Sequence, residues 1–376
     1  PIAQPGPRMD ASKNIEHFPC PGCSADMQFD PETGGMKCAF CGHTEALGPS
    51  TVEIHAHPLA DALAQSNSAL LTPLSAQAFE VSCASCGSAV LFEPPEVAGA
   101  CPFCGTAIVA QPKAADPLIA PDAVLPIKVV KTAAQKEVRS WLSSRWFAPS
   151  ALKRMAESEG IGGVYLPFWT YAADTASRYT GQRGEYYWVT EYYTETDSNG
   201  NSVQRSREVR HTRWHSASGQ VARNFDNVLI PATKAVNESR LNALEPWDLE
   251  ALRPYEPAYL AGFKAQRYQV QVPEGFEEAK EVMAEAIQQD VVEDIGGDEQ
   301  RVDHIDTQYS HTTFRHLLLP VWIGAYRFQG KVYQVAVNAR TGEVQGERPY
   351  SAAKIALLIA VILLVILVIV LLSRQS

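Results

Sequence analysis

The chain has 376 residues, of which 46% are apolar and 20% charged, so it is too long for one minimal domain and too apolar to be disordered. Lys and Arg number 32 against 42 Asp and Glu, a formal net charge of −10, which rules out any global attraction to a nucleic-acid backbone. The imbalance lies at the front: residues 1–112 hold eleven acids and three bases (Arg8, Lys13, Lys37), a net of −8.

No charged-then-apolar signal peptide opens the sequence. All eight cysteines precede residue 105 and form four C-x-x-C pairs: Cys20/Cys23, Cys38/Cys41, Cys83/Cys86 and Cys101/Cys104. Fourteen residues separate the pairs in each set, the second set repeats the first at an offset of 63, and Phe29 and Pro31 recur as Phe92 and Pro94. This is an internal duplication. A C-x-x-C knuckle places two thiolates on one tight turn, and two knuckles facing across a hairpin close a four-sulfur tetrahedral site with no open position for chemistry. Gly42, Gly87 and Gly105 supply a permissive backbone after three knuckles, and Ser24 takes that place in the remaining one. Two zinc ribbons are therefore expected, at 16–46 and 79–110, holding two Zn²⁺ ions, with iron the other metal a four-thiolate site accepts. Zinc thiolates need a reducing compartment. His43, His55 and His57 are expected as surface or linker histidines, since both sites already have four ligands.

Segments 47–78 and 111–124, rich in Ala, Pro and Ser, are expected as linkers, the first with a helix near Pro58–Gln65. A mixed α+β domain is expected from 125 to 350. Ile127–Val130 has strand character, and Thr132 is positioned to cap a helix through Phe147 with Val138, Leu142 and Trp146 on one face. The aromatic run Tyr165–Tyr171 (YLPFWTY) predicts a strand. Glu185–Thr196 and Ser202–His215 predict a hairpin closed by Ser198-Asn199-Gly200. Its register sets Glu191 opposite Arg207 and Glu185 opposite Arg213, so the cluster Arg205, Arg207, Arg210 and Arg213 is expected as a paired sheet surface. His211 and His215 would then share one sheet face. Phe276–Gln289 predicts a helix, and Lys331–Val344 a hairpin with Thr341-Gly342 at its turn. The run LLPVWIGAY (Leu318–Tyr326) echoes YLPFWTY, and Trp169 and Trp322 are expected in the core. Nucleotide-binding, metalloprotease and serine-hydrolase motifs are absent. The candidate site outside the ribbons is Gly296–Asp306, whose simpler reading is a Gly-Gly turn.

From Ile355 to Leu372 every residue is Ile, Leu, Val or Ala, about 27 Å of helix. That matches the roughly 30 Å hydrocarbon core and predicts a transmembrane tail anchor over 352–372.

The ribbons, together with Ile295–Arg301 (IGGDEQR), Leu319–Trp322 (LPVW) and Asn338–Ser351 (NARTGEVQGERPYS), resemble a bacterial family of tail-anchored membrane proteins with zinc ribbons of the transcription-factor-IIB type. Members often carry automatic labels such as primosomal protein N′ or helicase, a label unsupported here because helicase motor motifs are missing. The resemblance implies a scaffold on the cytoplasmic face of the inner membrane, working with stomatin/flotillin-like or phage-shock-type envelope-stress proteins. The expected function is thus a non-enzymatic adaptor, with a nucleic-acid-associated ribbon protein as the alternative.

Overall fold

The computed structural model describes residues 18–48, 53–64, 71–72, 79–83, 89–92, 98–101, 103, 106–109, 118–146, 161–196, 202–328 and 331–373. It is a mixed α+β structure built on one large sheet. Strands β1 (Met27–Asp30), β2 (Gly35–Cys38) and β3 (Thr44–Glu45) form a small antiparallel sheet at the front. Next come β4 (His57–Pro58), α1 (Leu59–Leu63) and β5 (Leu71–Thr72). Strands β6 (Phe79–Ser82), β7 (Ala89–Phe92), β8 (Ala98–Ala100) and β9 (Ala107–Val109) pair as β6–β7 and β8–β9.

Segments expected as linkers supply sheet. Besides β4 and β5, β10 (Leu118–Ile119) pairs with β5, and β11 (Ala123–Val124) joins the large sheet. The helix expected near Pro58–Gln65 is α1. Ile127–Val130 is not a strand: the paired residues are Ala123–Val124, and the N–H groups of Lys128 and Val129 both donate to the Ala339 carbonyl. Helix α2 (Lys131–Ser144) follows, with Val130 at its N-cap and no side-chain cap, so Thr132 does not perform that role. Its buried stripe is Ala134, Val138 and Leu142, while Trp146 lies beyond its end and is exposed.

Three very long strands make the frame. They are β12 (Gly162–Thr196), β13 (Ser202–Pro231) and β16 (Glu299–Phe328). Between the last two lie α3 (Glu238–Asn242), β14 (Arg253–Pro254), β15 (Lys264–Ala265) and α4 (Val272–Ile295). Strand β12 is central, antiparallel to β13 and to β16. The far edge of β16 takes β4, then β11, then β17 (Lys331–Asn338), which pairs with β18 (Val344–Gly346). The two Leu-Pro-x-Trp strings meet here: Leu166 pairs with Leu319, and Tyr165 with Pro320. The expected 331–344 hairpin is β17–β18, with Gly342 at φ +86° in its turn.

The alternation of β12 side chains gives the sheet two buried faces. Tyr165, Trp169 and Tyr171 point to one, with Leu318, Phe314 and Val337; Val164, Leu166 and Phe168 point to the other, with Leu319, Val321 and Ala336. Helix α4 lays Ala279, Met283, Ile287, Val291 and Ile295 along the first face, a spacing of four with one face of a helix turned inward. Trp169 Nε1 and Tyr171 Oη donate to the carbonyls of Val270 and Val272, so these large aromatics are buried without stranding their polar atoms.

Strand β16 begins at Glu299, opposite Gly184. Beyond that point β12 and β13 continue as a bare two-stranded arm, Glu185–Thr196 against Ser202–Arg213. At about 3.3 Å per residue the arm reaches roughly 40 Å past the sheet. Glu191 opposes Arg207 and Glu185 opposes Arg213, the register expected from sequence. The closing loop 197–201 lies outside the described residues.

Helix α5 (Ala352–Ser373) is the last described element. It is the one helix long and apolar enough to cross a membrane among the described residues, and none of its residues is buried. Its 22 residues make about 33 Å, a bilayer core's thickness.

Candidate metal centre

The first two knuckles fold locally and then meet. In each, the leading cysteine N–H donates five residues ahead: Cys20 to the Ala25 carbonyl and Cys38 to that of His43, both at 2.8 Å. Such a turn demands a left-handed residue just after the second cysteine. Gly42 occupies it at φ +74°, and Ser24 occupies it at φ +59°, a conformation costly for most side chains. The β1–β2 hairpin brings the knuckles face to face, with Met27 paired to Cys38.

The four sulfurs of Cys20, Cys23, Cys38 and Cys41 lie within 4.8 Å of one another. Cys20 Sγ is 3.4 Å from Cys41 Sγ, and Cys23 Sγ is 3.5 Å from Cys38 Sγ. A tetrahedral site with metal–sulfur bonds of about 2.3 Å has sulfur–sulfur edges of roughly 3.8 Å. The group therefore fits a metal ion of zinc or iron size.

Its electrostatics fit as well. Backbone N–H groups of Cys41 and Phe40 hold the Cys38 thiol down at about 6. For Cys23, the N–H of Ala25 favours the thiolate, but the neighbouring sulfurs of Cys38 and Cys41, together with desolvation and the Cys20 sulfur, outweigh it and push the thiol up to about 12. Cys41 is likewise pulled down by the His43 N–H, yet ends raised, with the Cys20 sulfur the main opposing cause. Four thiols this close cannot all ionise alone, and a divalent cation at their centre removes the conflict. Cys20 and Cys38 are buried, while Cys23 and Cys41 face solvent beside an exposed Phe40.

The second cysteine set repeats part of these local features, though among the described residues its β7 and β8 are not paired as β1 and β2 are. Cys101 donates to the Thr106 carbonyl at 2.8 Å, the same five-residue step. The pair Pro19↔Asp26 recurs 63 residues on as Ser82↔Ala89. Met36↔Glu45 and Lys37↔Thr44 recur as Gly99↔Ile108 and Ala100↔Ala107. Cys83 and Cys101 are buried; Cys86 and Cys104 lie outside the described residues.

Both units are built into the sheet rather than hung from it, which the sequence did not disclose. Met27, Phe29 and Met36 join the first face, where Phe29 packs on Tyr259 and donates its N–H to the Ala261 carbonyl. Cys83, Cys101 and Phe103 join the opposite face, and Gln334 donates to the Phe103 carbonyl at 2.6 Å. The two units thus grip one sheet from its two sides.

Gly296 and Gly297, at φ +62° and +82°, make the turn from α4 into β16. Asp298 and Glu299 then accept hydrogen bonds from the Tyr186 backbone and hydroxyl, so Gly296–Asp306 is a turn followed by a half-buried strand whose Val302 and Ile305 pack against the core. His211 and His215 lie on one face of β13, both exposed. In the arginine cluster, Arg205 pairs with Glu195 and Arg207 with Glu191, whereas Arg210 and Arg213 stack on Tyr186 and Tyr187. His43 and His55, expected on the surface or in a linker, are both exposed. His57 does more than the sequence suggested: its Nε2 lies 2.7 Å from Asp122 Oδ1 and its ring packs on Phe314, which fastens β4 to the sheet. No local motif marks a pair 65 residues apart.

No family model matches this chain, and no solved structure matches it. It is similar to the uncharacterized protein YdjG of Bacillus subtilis (strain 168), with 28% identity over 350 residues spanning 91% of this chain and 92% of that protein.

Proposed function

We propose that this chain is a non-enzymatic, membrane-tethered zinc-ribbon adaptor that recruits protein partners to the cytoplasmic face of the bacterial inner membrane. In this reading, ribbons at 16–46 and 79–110 each hold a zinc ion and brace the platform 125–350, while 352–372 anchors it. The observation that carries the reading is the arm. It presents Trp188, Tyr192, Tyr193 and Tyr187 to solvent, with Tyr192 70% exposed, on a two-stranded ribbon that no third strand joins among the described residues. Large aromatics in the open are the usual anchors of protein interfaces. The anchor leaves the sheet shortly after β18, at the end remote from the arm, so the arm tip stands on the order of 100 Å along the strands from the membrane end. The resemblance to tail-anchored ribbon proteins adds stomatin/flotillin-like or phage-shock-type proteins as the partners to look for.

The test compares proteins that co-purify in mild detergent with the full chain and with a Trp188→Ser, Tyr192→Ser double variant. Loss of specific partners from the variant, with membrane fractionation and metal content unchanged, is the expected result. Identical partner sets would refute docking through the arm.

One observation favours a second reading, a nucleic-acid-associated ribbon protein at the membrane. Arg210 lies 4.1 Å over Tyr186 and Arg301 lies 3.9 Å over Trp214, the aromatic and arginine mixture on which single-stranded bases stack. Fluorescence anisotropy with single-stranded DNA and RNA at about 0.15 M salt separates the two. Micromolar binding that disappears in the same double variant would favour this second reading.

A further inference from the structure

A cleft of about 480 Å³ opens where the sheet meets the first turn of α5. Trp141 and Arg145 from the end of α2, Tyr333 from β17, and Gly346, Arg348 and Tyr350 from the segment leading into α5 line it. Gly346 matters because a Cβ there would come within 3.1 Å of the Trp141 ring, so its absence lets the indole form the cleft floor. Two polar atoms of the cleft are buried without a hydrogen-bond partner among the described residues, the indole Nε1–H of Trp141 and the Nε–H of Arg145. Both are donors. The guanidinium of Arg145 lies 5.1 Å over the Trp141 ring, and that of Arg348 lies 5.5 Å over Tyr350. The acid in the lining, Glu347, already accepts from Arg240 at 2.6 Å. The site is therefore cationic and short of acceptors.

Its position is as informative as its chemistry. Lys354, in the first turn of α5, donates to the Trp146 carbonyl at 2.9 Å, which fixes the cleft beside the start of the apolar helix. Trp146 and Tyr350 stand exposed there, 57% and 62%. Exposed Trp and Tyr beside basic side chains at a helix's polar end form the pattern of a membrane–water interface. If α5 spans a bilayer, the cleft opens at headgroup level, where anionic lipids supply the acceptors that Arg145 and Trp141 lack.

We propose that this juxtamembrane cleft binds the phosphate of an anionic phospholipid headgroup, clamped by Arg145 and Arg348 with the Trp141 indole donating to it. The inference rests on the membrane-tethered reading of α5. It makes the platform's footing on the bilayer a recognition event rather than a passive tether.

The test titrates the purified full chain, in mild detergent, with phosphatidylglycerol and with phosphatidylcholine, and counts bound lipid by native mass spectrometry. Phosphatidylglycerol should bind preferentially, and Arg145→Gln and Arg348→Gln should each weaken it roughly five-fold. Lys136→Gln, the same charge change on the exposed side of α2 away from the cleft, should stay within about two-fold, since it touches no lipid. Equal binding of the two lipids, or equal losses in all three variants, overturns the proposal. Glycerol phosphate in the same titration identifies the source of the phosphate: if it displaces the lipid at equal concentration, the cleft is a free-phosphate site and the lipid proposal fails. Carbonate extraction of membranes reads the span alone, so a chain that extracts yet still selects phosphatidylglycerol in detergent would refute the anchor and not the cleft.

Discussion

Replacing Cys38 by Ser tests whether the metal centre holds the platform together. Cys38 is buried, and its sulfur accepts from the backbone of Cys41 and Phe40, so serine removes one of the four sulfurs that could hold a metal ion and leaves those donors poorly matched. Structural zinc contributes on the order of 10 kcal/mol or more to the folding of a small ribbon. Without it, the β1–β3 sheet must survive on its contact with the large sheet. That contact buries Met27, Phe29 and Met36, worth roughly 1.5–3 kcal/mol each and about 5–9 kcal/mol together. Set against the ordering entropy of some thirty residues, about 1 kcal/mol or more per residue, this burial alone is too small. The expected outcome is loss of a metal equivalent together with release of the ribbon. Hydrogen exchange read at the Phe29 amide, which donates to Ala261, should accelerate by several orders of magnitude, and Tyr259 should lose its aromatic neighbour. Metal content is read in parallel by elemental analysis, where two ions per wild-type chain are expected. A Cys38→Ser protein that loses metal while keeping native protection at Phe29 would refute the idea that the metal secures the ribbon to the sheet.

Burial holds the His316 imidazole at about 4 instead of 6.5, with Nε2 unpartnered against Trp169 and Tyr268; the unfolded chain binds a proton that the folded one excludes, so this contribution is complete above pH 6.5 and is lost as pH falls from 6.5 towards 4. Its full size is about 3 kcal/mol, and urea midpoints between pH 7 and 4.5 should show a shallower acid loss in His316→Phe than in the wild type. Gly181→Ala places a Cβ 2.3 Å from the Arg301 carbonyl oxygen, a backbone atom that cannot step aside, and should destabilise by about 1–3 kcal/mol in thermal unfolding. Gly162→Ala, which meets nothing within 4 Å, should be close to neutral. Deleting Ile355–Ser376 should leave the remaining chain in the supernatant of a high-speed spin with its melting unchanged; continued sedimentation with membranes after a high-salt wash would mean that another element holds it there.

Features of this chain that depend on neighbours in sequence were legible from the sequence. The knuckles are five-residue turns, and their left-handed positions at Ser24 and Gly42 follow from the C-x-x-C spacing. The arm register is fixed by a short loop and by side-chain complementarity, so Glu185 and Arg213 could be paired on paper. The apolar run at 355–372 needs no partner to declare itself a helix. Other features were decided by residues far apart. The Val124 region pairs with Leu318 in parallel, and that long-range contact, not local propensity, puts the strand at Ala123–Val124 instead of Ile127–Val130. A 63-residue repeat reads the same whether its two copies are free modules or bound to one sheet. Only the alternation of Tyr165 against Val164 and Leu166, seen in three dimensions, sends the first copy to one face and the second to the other. The cleft at the foot of α5 has the same origin: Arg145 and Arg348 are 203 positions apart, and only the packing of α2 on β17 and β18 brings them together.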